Sequence, residues 1–228
     1  MKSFTDQYLN ALKISPQLVS LISALAEYKG KETLYEKQSP EVLEHLVEAA
    51  KVESAESSNR IEGIDVDHKR VEALVIKNSL PRNRSEQEVS GYRDALEKIH
   101  TAYEAIPLSI NAILLFHEFL YKYTESPGGS FKREDNLIID RFPDGTIRER
   151  FRPVSAALTY ETLKQLIANF EYLTKQNQYS PMLLIPFFVF DFLCIHPFSD
   201  GNGRVARLLT LLLLYRAGYL VGKYISLE

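Results

Sequence analysis

Apolar residues recur at three- and four-residue spacing along most of the chain, broken by a few sharp stops. That spacing predicts helices near 16–29, 40–62, 67–77, 85–105, 109–122, 160–176, 181–195 and 203–217. Ser15-Pro16, Ser39-Pro40 and Ser180-Pro181 each pair an N-cap with proline at the first helical position. Gly30, Gly63 and Gly218 follow helical runs and read as C-terminal stops. One stretch breaks the rhythm. Leu137-Ile-Ile139 and Thr146–Phe151 flank Pro143-Asp144-Gly145, the pattern of a single β-hairpin. A lone hairpin is marginal, so it should lean on the helices. The fold class is therefore all-α with one hairpin.

The final residues, Ser226-Leu-Glu228, look like an N-cap and one helical turn. Two readings stay open there: a fraying end, or a cut within a longer protein. At 228 residues the chain can bury a substantial core. Its net charge of −3 leaves no footprint for nonspecific nucleic-acid binding, and none is expected. Cys194 is the only cysteine, which excludes an intrachain disulfide and suits a reducing compartment. The longest apolar stretches are 182–195, interrupted by Asp191, and 208–214. Both are shorter than the roughly 18–20 residues that span a bilayer. With no apolar leader at the N-terminus, the expectation is a cytoplasmic protein without membrane contact.

The chemistry concentrates in His196-Pro-Phe-Ser-Asp-Gly-Asn-Gly-Arg-Val-Ala-Arg207. Gly201-Asn202-Gly203 lies between two predicted helices. Glycine-rich backbone entering a helix presents free N–H groups to an anion, helped by the helix dipole. Arg204 and Arg207 are spaced i, i+3 on that helix, where both can reach phosphate. Asp200 beside such a site points to a Mg²⁺ shared with phosphate oxygens. His196 is a titratable base a few residues away. An EF-hand reading fails, because aligning Asp200 with position 3 puts Phe198 and Leu209 where carboxylates are required.

This stretch resembles the signature of the Fic (filamentation induced by cAMP) family, His-x-Phe-x-[Asp/Glu]-Gly-Asn-Gly-Arg-x-x-Arg, at every fixed position. The resemblance extends over roughly residues 85–225, where the hairpin looks like the family's flap. It implies a Fic-type helical bundle, with a catalytic core over 81–228, a flap over about 136–151 and an N-terminal helical region over 1–80. It implies transfer of AMP from ATP to a Tyr, Thr or Ser hydroxyl of a target protein, with release of pyrophosphate. His196 would be the general base and Asp200 the Mg²⁺ ligand. Gly201, Asn202 and Gly203 would cradle the α- and β-phosphates with help from Arg204, and Arg207 would hold the γ-phosphate. The unknown target would lie along the flap as an added strand.

A second resemblance is to the family's inhibitory motif, [Ser/Thr]-x-x-x-Glu-[Gly/Asn], here Ser58 to Gly63. It implies that Glu62 pairs with Arg207 and blocks ATP. Ser58 and Glu62 share a helix face, and a carboxylate at a helix C-terminus needs a cation. The alternative for Glu62 is a solvated helix end paired with Lys69 or Arg70. Removal of AMP by the same site, transfer of another phosphate-containing group, and homo-oligomer formation all remain open at this point. The branch that phosphorylates its targets is disfavoured, since it tends to carry lysine where this chain has Gly203.

Overall fold

The computed structural model describes residues 2–36 and 40–228. The helices are α1 (Asp6–Asn10), α2 (Pro16–Glu36), α3 (Pro40–Ile61), α4 (His68–Val75), α5 (Arg84–Ala102), α6 (Ile110–Tyr121), α7 (Thr159–Gln176), α8 (Pro181–Ile195) and α9 (Asn202–Arg216). Strands β1 (Ile138–Arg141) and β2 (Ile147–Phe151) pair antiparallel between α6 and α7, with a register shift between Ile138 and Ile139. Short 3₁₀ turns occupy 103–105, 156–158 and 221–223.

Most helix ends fall where their caps predict. Ser15 Oγ accepts from Leu18 N–H, and Ser180 Oγ accepts from Met182 N–H. The cap expected at Ser39 lies outside the described residues. Gly63 and Gly218 end their helices in the left-handed conformation, at φ 79° and 80°. Gly30 does not: α2 runs on to Glu36 through it. Space is open around Gly30 and no turn is built there, so its cost of about 1 kcal/mol in helix propensity is tolerated. The short α1, capped by Thr5, carries no periodicity long enough to read from sequence.

The core is one contiguous cluster drawn from α3 to α9, with Phe4 and Leu9 of the N-terminal segment packed into it. Tyr92, Phe116, Phe188, Phe192, Phe198 and Tyr215 are its large fully buried rings. Val52 and Ala55 of α3 belong to the same cluster, which seats the C-terminal half of α3 against α5. Among the described residues no helix is long and apolar enough to cross a membrane.

The hairpin stands out from this bundle. Every residue of β2 is exposed. Its turn closes through Phe142 N–H to the Thr146 carbonyl and Gly145 N–H to the Phe142 carbonyl, with Gly145 at φ 84°. Asp144 Oδ1 accepts from both the main-chain N–H and the hydroxyl of Thr146. Ser226 Oγ accepts from Glu228 N–H.

Candidate active site

The site is the junction of α8 and α9. Helix α8 ends at Ile195, and His196 caps it in the left-handed conformation, φ 52° and ψ 61°. A non-glycine residue there is strained by about 1–3 kcal/mol unless its surroundings fix it. The surroundings do. His196 N–H donates to the Phe192 carbonyl. Phe198 is fully buried and stacks flat on His117, with ring centroids 3.8 Å apart. His117 Nδ1 accepts from Gly129 N–H at 2.8 Å, so its Nε2–H is the donor to the Asp200 carbonyl at 3.2 Å. His117 is thus a neutral ring clamped between two main-chain groups, and burial lowers its pKa to about 4.

Asn202 closes the turn from the other side. Its Oδ1 accepts from Phe198 N–H at 2.9 Å and its Nδ2 donates to the Phe198 carbonyl at 2.8 Å. The amide side chain is therefore committed to shaping the loop, and what Asn202 can offer an anion is its main-chain N–H. Gly201 precedes α9 at φ 79°, close under the Tyr121 hydroxyl, where a side chain would be both strained and crowded. The N–H groups of the first turn of α9 face the site, as an anion cradle requires.

The two arginines diverge. Arg207 Nε donates to Ser58 Oγ at 2.7 Å, and its Nη2 donates to the Ser58 carbonyl at 2.9 Å and to Glu62 Oε1 at 2.7 Å. Ser58 and Glu62 thus present one face of α3 to one guanidinium, and the alternative pairing of Glu62 fails: Arg70 is held by Glu86. Glu62 lies so close over Gly203 that a Cβ added there would collide with its Oε1. The carboxylate sits at the helix N-terminus, where a phosphate would be expected. Arg204 turns the other way. It is 1% exposed, with Nη1 on Glu88 Oε2 at 2.6 Å and Asn59 Oδ1 at 3.3 Å, and Nη2 on the Tyr121 hydroxyl at 3.1 Å.

His196 is half-buried, and burial is the main cause lowering its pKa from the ordinary value. Nδ1 is buried without a hydrogen bond, and the Leu193 carbonyl partly offsets the effect of burial on the ring. That leaves Nε2 as the ring nitrogen open to a partner. Asp200 is exposed, with Oδ1 accepting from Gly201 N–H at 2.7 Å. Among the described residues no group of three or more His, Cys, Asp or Glu side chains is placed to hold a metal. A single exposed carboxylate fits Mg²⁺ when a polyphosphate brings the other oxygens. A cleft of about 540 Å³ opens beside Asp200 between Arg84, Tyr121, Phe131 and Arg133. A hollow of about 600 Å³ on another face of α3, lined by Glu53, Glu56, His68 and Glu72, touches none of these groups.

Sequence reasoning missed Glu88, Asn59, His117, Asn136 and Lys132. The signal was weak for each: polar residues scattered through 59–136, far in sequence from the turn they hold.

Residues 107–214 match the family model described as the Fic/DOC family. The protein adenylyltransferase Fic of Drosophila erecta is 29% identical over 134 residues, covering 58% of this chain and 25% of that protein. The protein adenylyltransferase fic-1 of Caenorhabditis elegans is 35% identical over 72 residues, 31% of this chain and 14% of that one. The chain therefore spans a quarter or less of these curated relatives. Among solved structures, a Fic domain containing signaling protein from Bacteroides thetaiotaomicron superposes with a TM-score of 0.70 at 22% identity, over 86% of this chain and 72% of that one. A Fic family protein from Desulfovibrio desulfuricans gives 0.72 at 24% identity, over 92% and 62%. The helical bundle, the flap-like hairpin and the complete turn from His196 to Arg207 agree with these likenesses, and residues 107–214 form a Fic/DOC family domain.

Proposed function

We propose that this chain is a protein adenylyltransferase held in check by its own α3. The observation that carries the reading is the pairing of a neutral imidazole with an anion-binding turn whose place is taken by Glu62. ATP would lay its α- and β-phosphates against the N–H groups of Asn202 and Gly203. Its γ-phosphate would take Arg207 from Glu62, and Arg204 would add positive charge behind the turn. Asp200 would hold Mg²⁺, which supplies charge neutralisation between the phosphates. A target Tyr, Thr or Ser would bring its hydroxyl to His196 Nε2, positioned by strand addition along the hairpin. His196 accepts the hydroxyl proton as the oxygen bonds to the α-phosphorus. The bond from the α-phosphorus to the bridging oxygen breaks, and pyrophosphate leaves. The product is an AMP ester on the target.

Two features favour AMP transfer over phosphorylation. The relatives are named adenylyltransferases. Gly203 leaves no room for a lysine while Glu62 is in place. The test is to label ATP separately at the α- and the γ-phosphate and incubate each with a Glu62→Gly variant and candidate targets. Label retained from the α-position alone, with pyrophosphate released, is expected. Retention of γ-label would replace this reading with phosphorylation.

A further inference from the structure

The segment before the hairpin runs alongside the turn that carries His196, and Lys132 is buried within it at 5% exposure. Its main-chain N–H donates to the Pro197 carbonyl at 2.9 Å. Its Nζ donates to the Ile195 carbonyl at 3.1 Å and to Asn136 Oδ1 at 2.8 Å. Asn136 Nδ2 in turn donates to the Phe198 carbonyl at 3.1 Å. Carbonyls on both sides of His196 are therefore held from one short segment, and none of these bonds uses His196 itself.

A buried ammonium is costly unless it is paired. Among the described residues Lys132 forms no ion pair, Asp135 bears on it only through space, and burial lowers its own pKa. What it meets is the negative end of α8. The last carbonyls of a helix favour a cation, and a histidine placed there is ordinarily stabilised in its charged form. A general base needs the opposite. Lys132 covers the last carbonyl before His196 with a charge of its own. The charged groups facing the His196 ring are Lys132 from this segment, Asp200 from its own turn and Glu62 from α3. The ammonium opposes a second proton on the ring, and the two carboxylates favour it.

We propose that Lys132 is a positioning residue for His196, fixing the left-handed elbow and keeping the imidazole free to accept the substrate's proton. The proposal rests on the reading of His196 as the base, so its test includes a measurement that needs no turnover. The His196 ring proton resonance, assigned by its loss in His196→Ala, is titrated in the full chain. In Lys132→Met the midpoint should rise by about one pH unit, because a neighbouring positive charge has gone. In Lys132→Arg it should return towards the wild-type value. In the Glu62→Gly background, Lys132→Met should also lower kcat for AMP transfer by up to about threefold at pH 7 as more of the base is protonated, with KM for ATP within about twofold. The acid limb of its pH profile should move up in step. If Lys132→Met does not fold, Lys132→Gln keeps a donor for Ile195 and removes the charge, and the same rise is expected. A midpoint unmoved by loss of the charge overturns the proposal. An inactive Glu62→Gly protein whose ring titration still shifts would remove the transferase reading and leave the role of Lys132 standing.

Discussion

Arg204 and Arg207 stand one turn apart on α9 and grip different carboxylates: Arg204 holds Glu88 inside the bundle, and Arg207 holds Glu62 at its surface. The first pair is sealed, with both side chains under a tenth exposed, while Arg207 and Glu62 are 22% and 32% exposed. That difference in solvation separates a fixed strut from a contact that can open.

Arg204→Met should therefore cost far more stability than Arg207→Met. Removing Arg204 leaves the buried Glu88 with only the exposed Arg84 as partner, at up to about 3–5 kcal/mol. A partly exposed pair contributes about 1 kcal/mol or less. Urea midpoints of the two variants measure this, and equal losses would contradict the assignment.

Asn202→Ala should open the turn, because two hydrogen bonds to the Phe198 main chain disappear. The expected loss is about 1–3 kcal/mol for the stranded Phe198 N–H, since Asn136 still donates to the Phe198 carbonyl. AMP transfer should fall in the same variant even where it remains folded at the assay temperature. Thermal unfolding and labelling, measured together, check both parts.

Stability should fall as pH drops below about 6.5. Burial lowers the pKa of His100 and of His117 to about 4, and that of His196 in the same direction. The unfolded chain then binds protons that the folded chain refuses, so unfolding is favoured as pH falls towards the folded values. Each such histidine steepens the slope by up to about 1.4 kcal/mol per pH unit. His117→Gln, which can keep one donor and one acceptor, should flatten the dependence of the melting temperature between pH 6.5 and 4.5. An unchanged slope would mean that His117 does not titrate as its burial implies.

Gly145→Val should damage labelling of protein targets while leaving ATP binding intact. Gly145 turns the hairpin at φ 84°, where a β-branched residue is strained, and the phosphate turn lies on other elements. Equal losses in target labelling and ATP affinity would argue against a target-binding role for the hairpin.

Sequence carried the local features well. Proline and serine caps, glycine stops and the Pro143-Asp144-Gly145 turn each act within a few residues, and the elements formed where they point. The dense run from His196 to Arg207 exposed the site for the same reason. Sequence also brought Glu62 to Arg207, but through the resemblance of a short motif, since helix-end electrostatics alone allowed Lys69 or Arg70 as well. It was blind to what packs from afar. Nothing local says that Glu88 takes Arg204, that His117 stacks on Phe198, or that Lys132 reaches the end of α8. These contacts join residues some 60 to 116 positions apart and depend on how the helices cross. Gly30 erred in the other direction: a residue able to stop a helix does so only where the chain has a reason to turn.

In the function proposed above, Glu62 occupies the place of the γ-phosphate on Arg207. The most direct measurement is calorimetric ATP affinity, with Mg²⁺ present, for wild type, Glu62→Gly and Glu62→Gln. The glutamine variant controls for the lower helix propensity of glycine. Both variants should bind ATP on the order of 10–100-fold more tightly than wild type, about 1.4–2.7 kcal/mol. Both should also label themselves or a target with AMP, and His196→Ala in the Glu62→Gly background should bind ATP equally well without labelling. Wild-type affinity in both Glu62 variants would contradict autoinhibition by α3 and leave Glu62 as a helix-end residue that happens to touch an arginine.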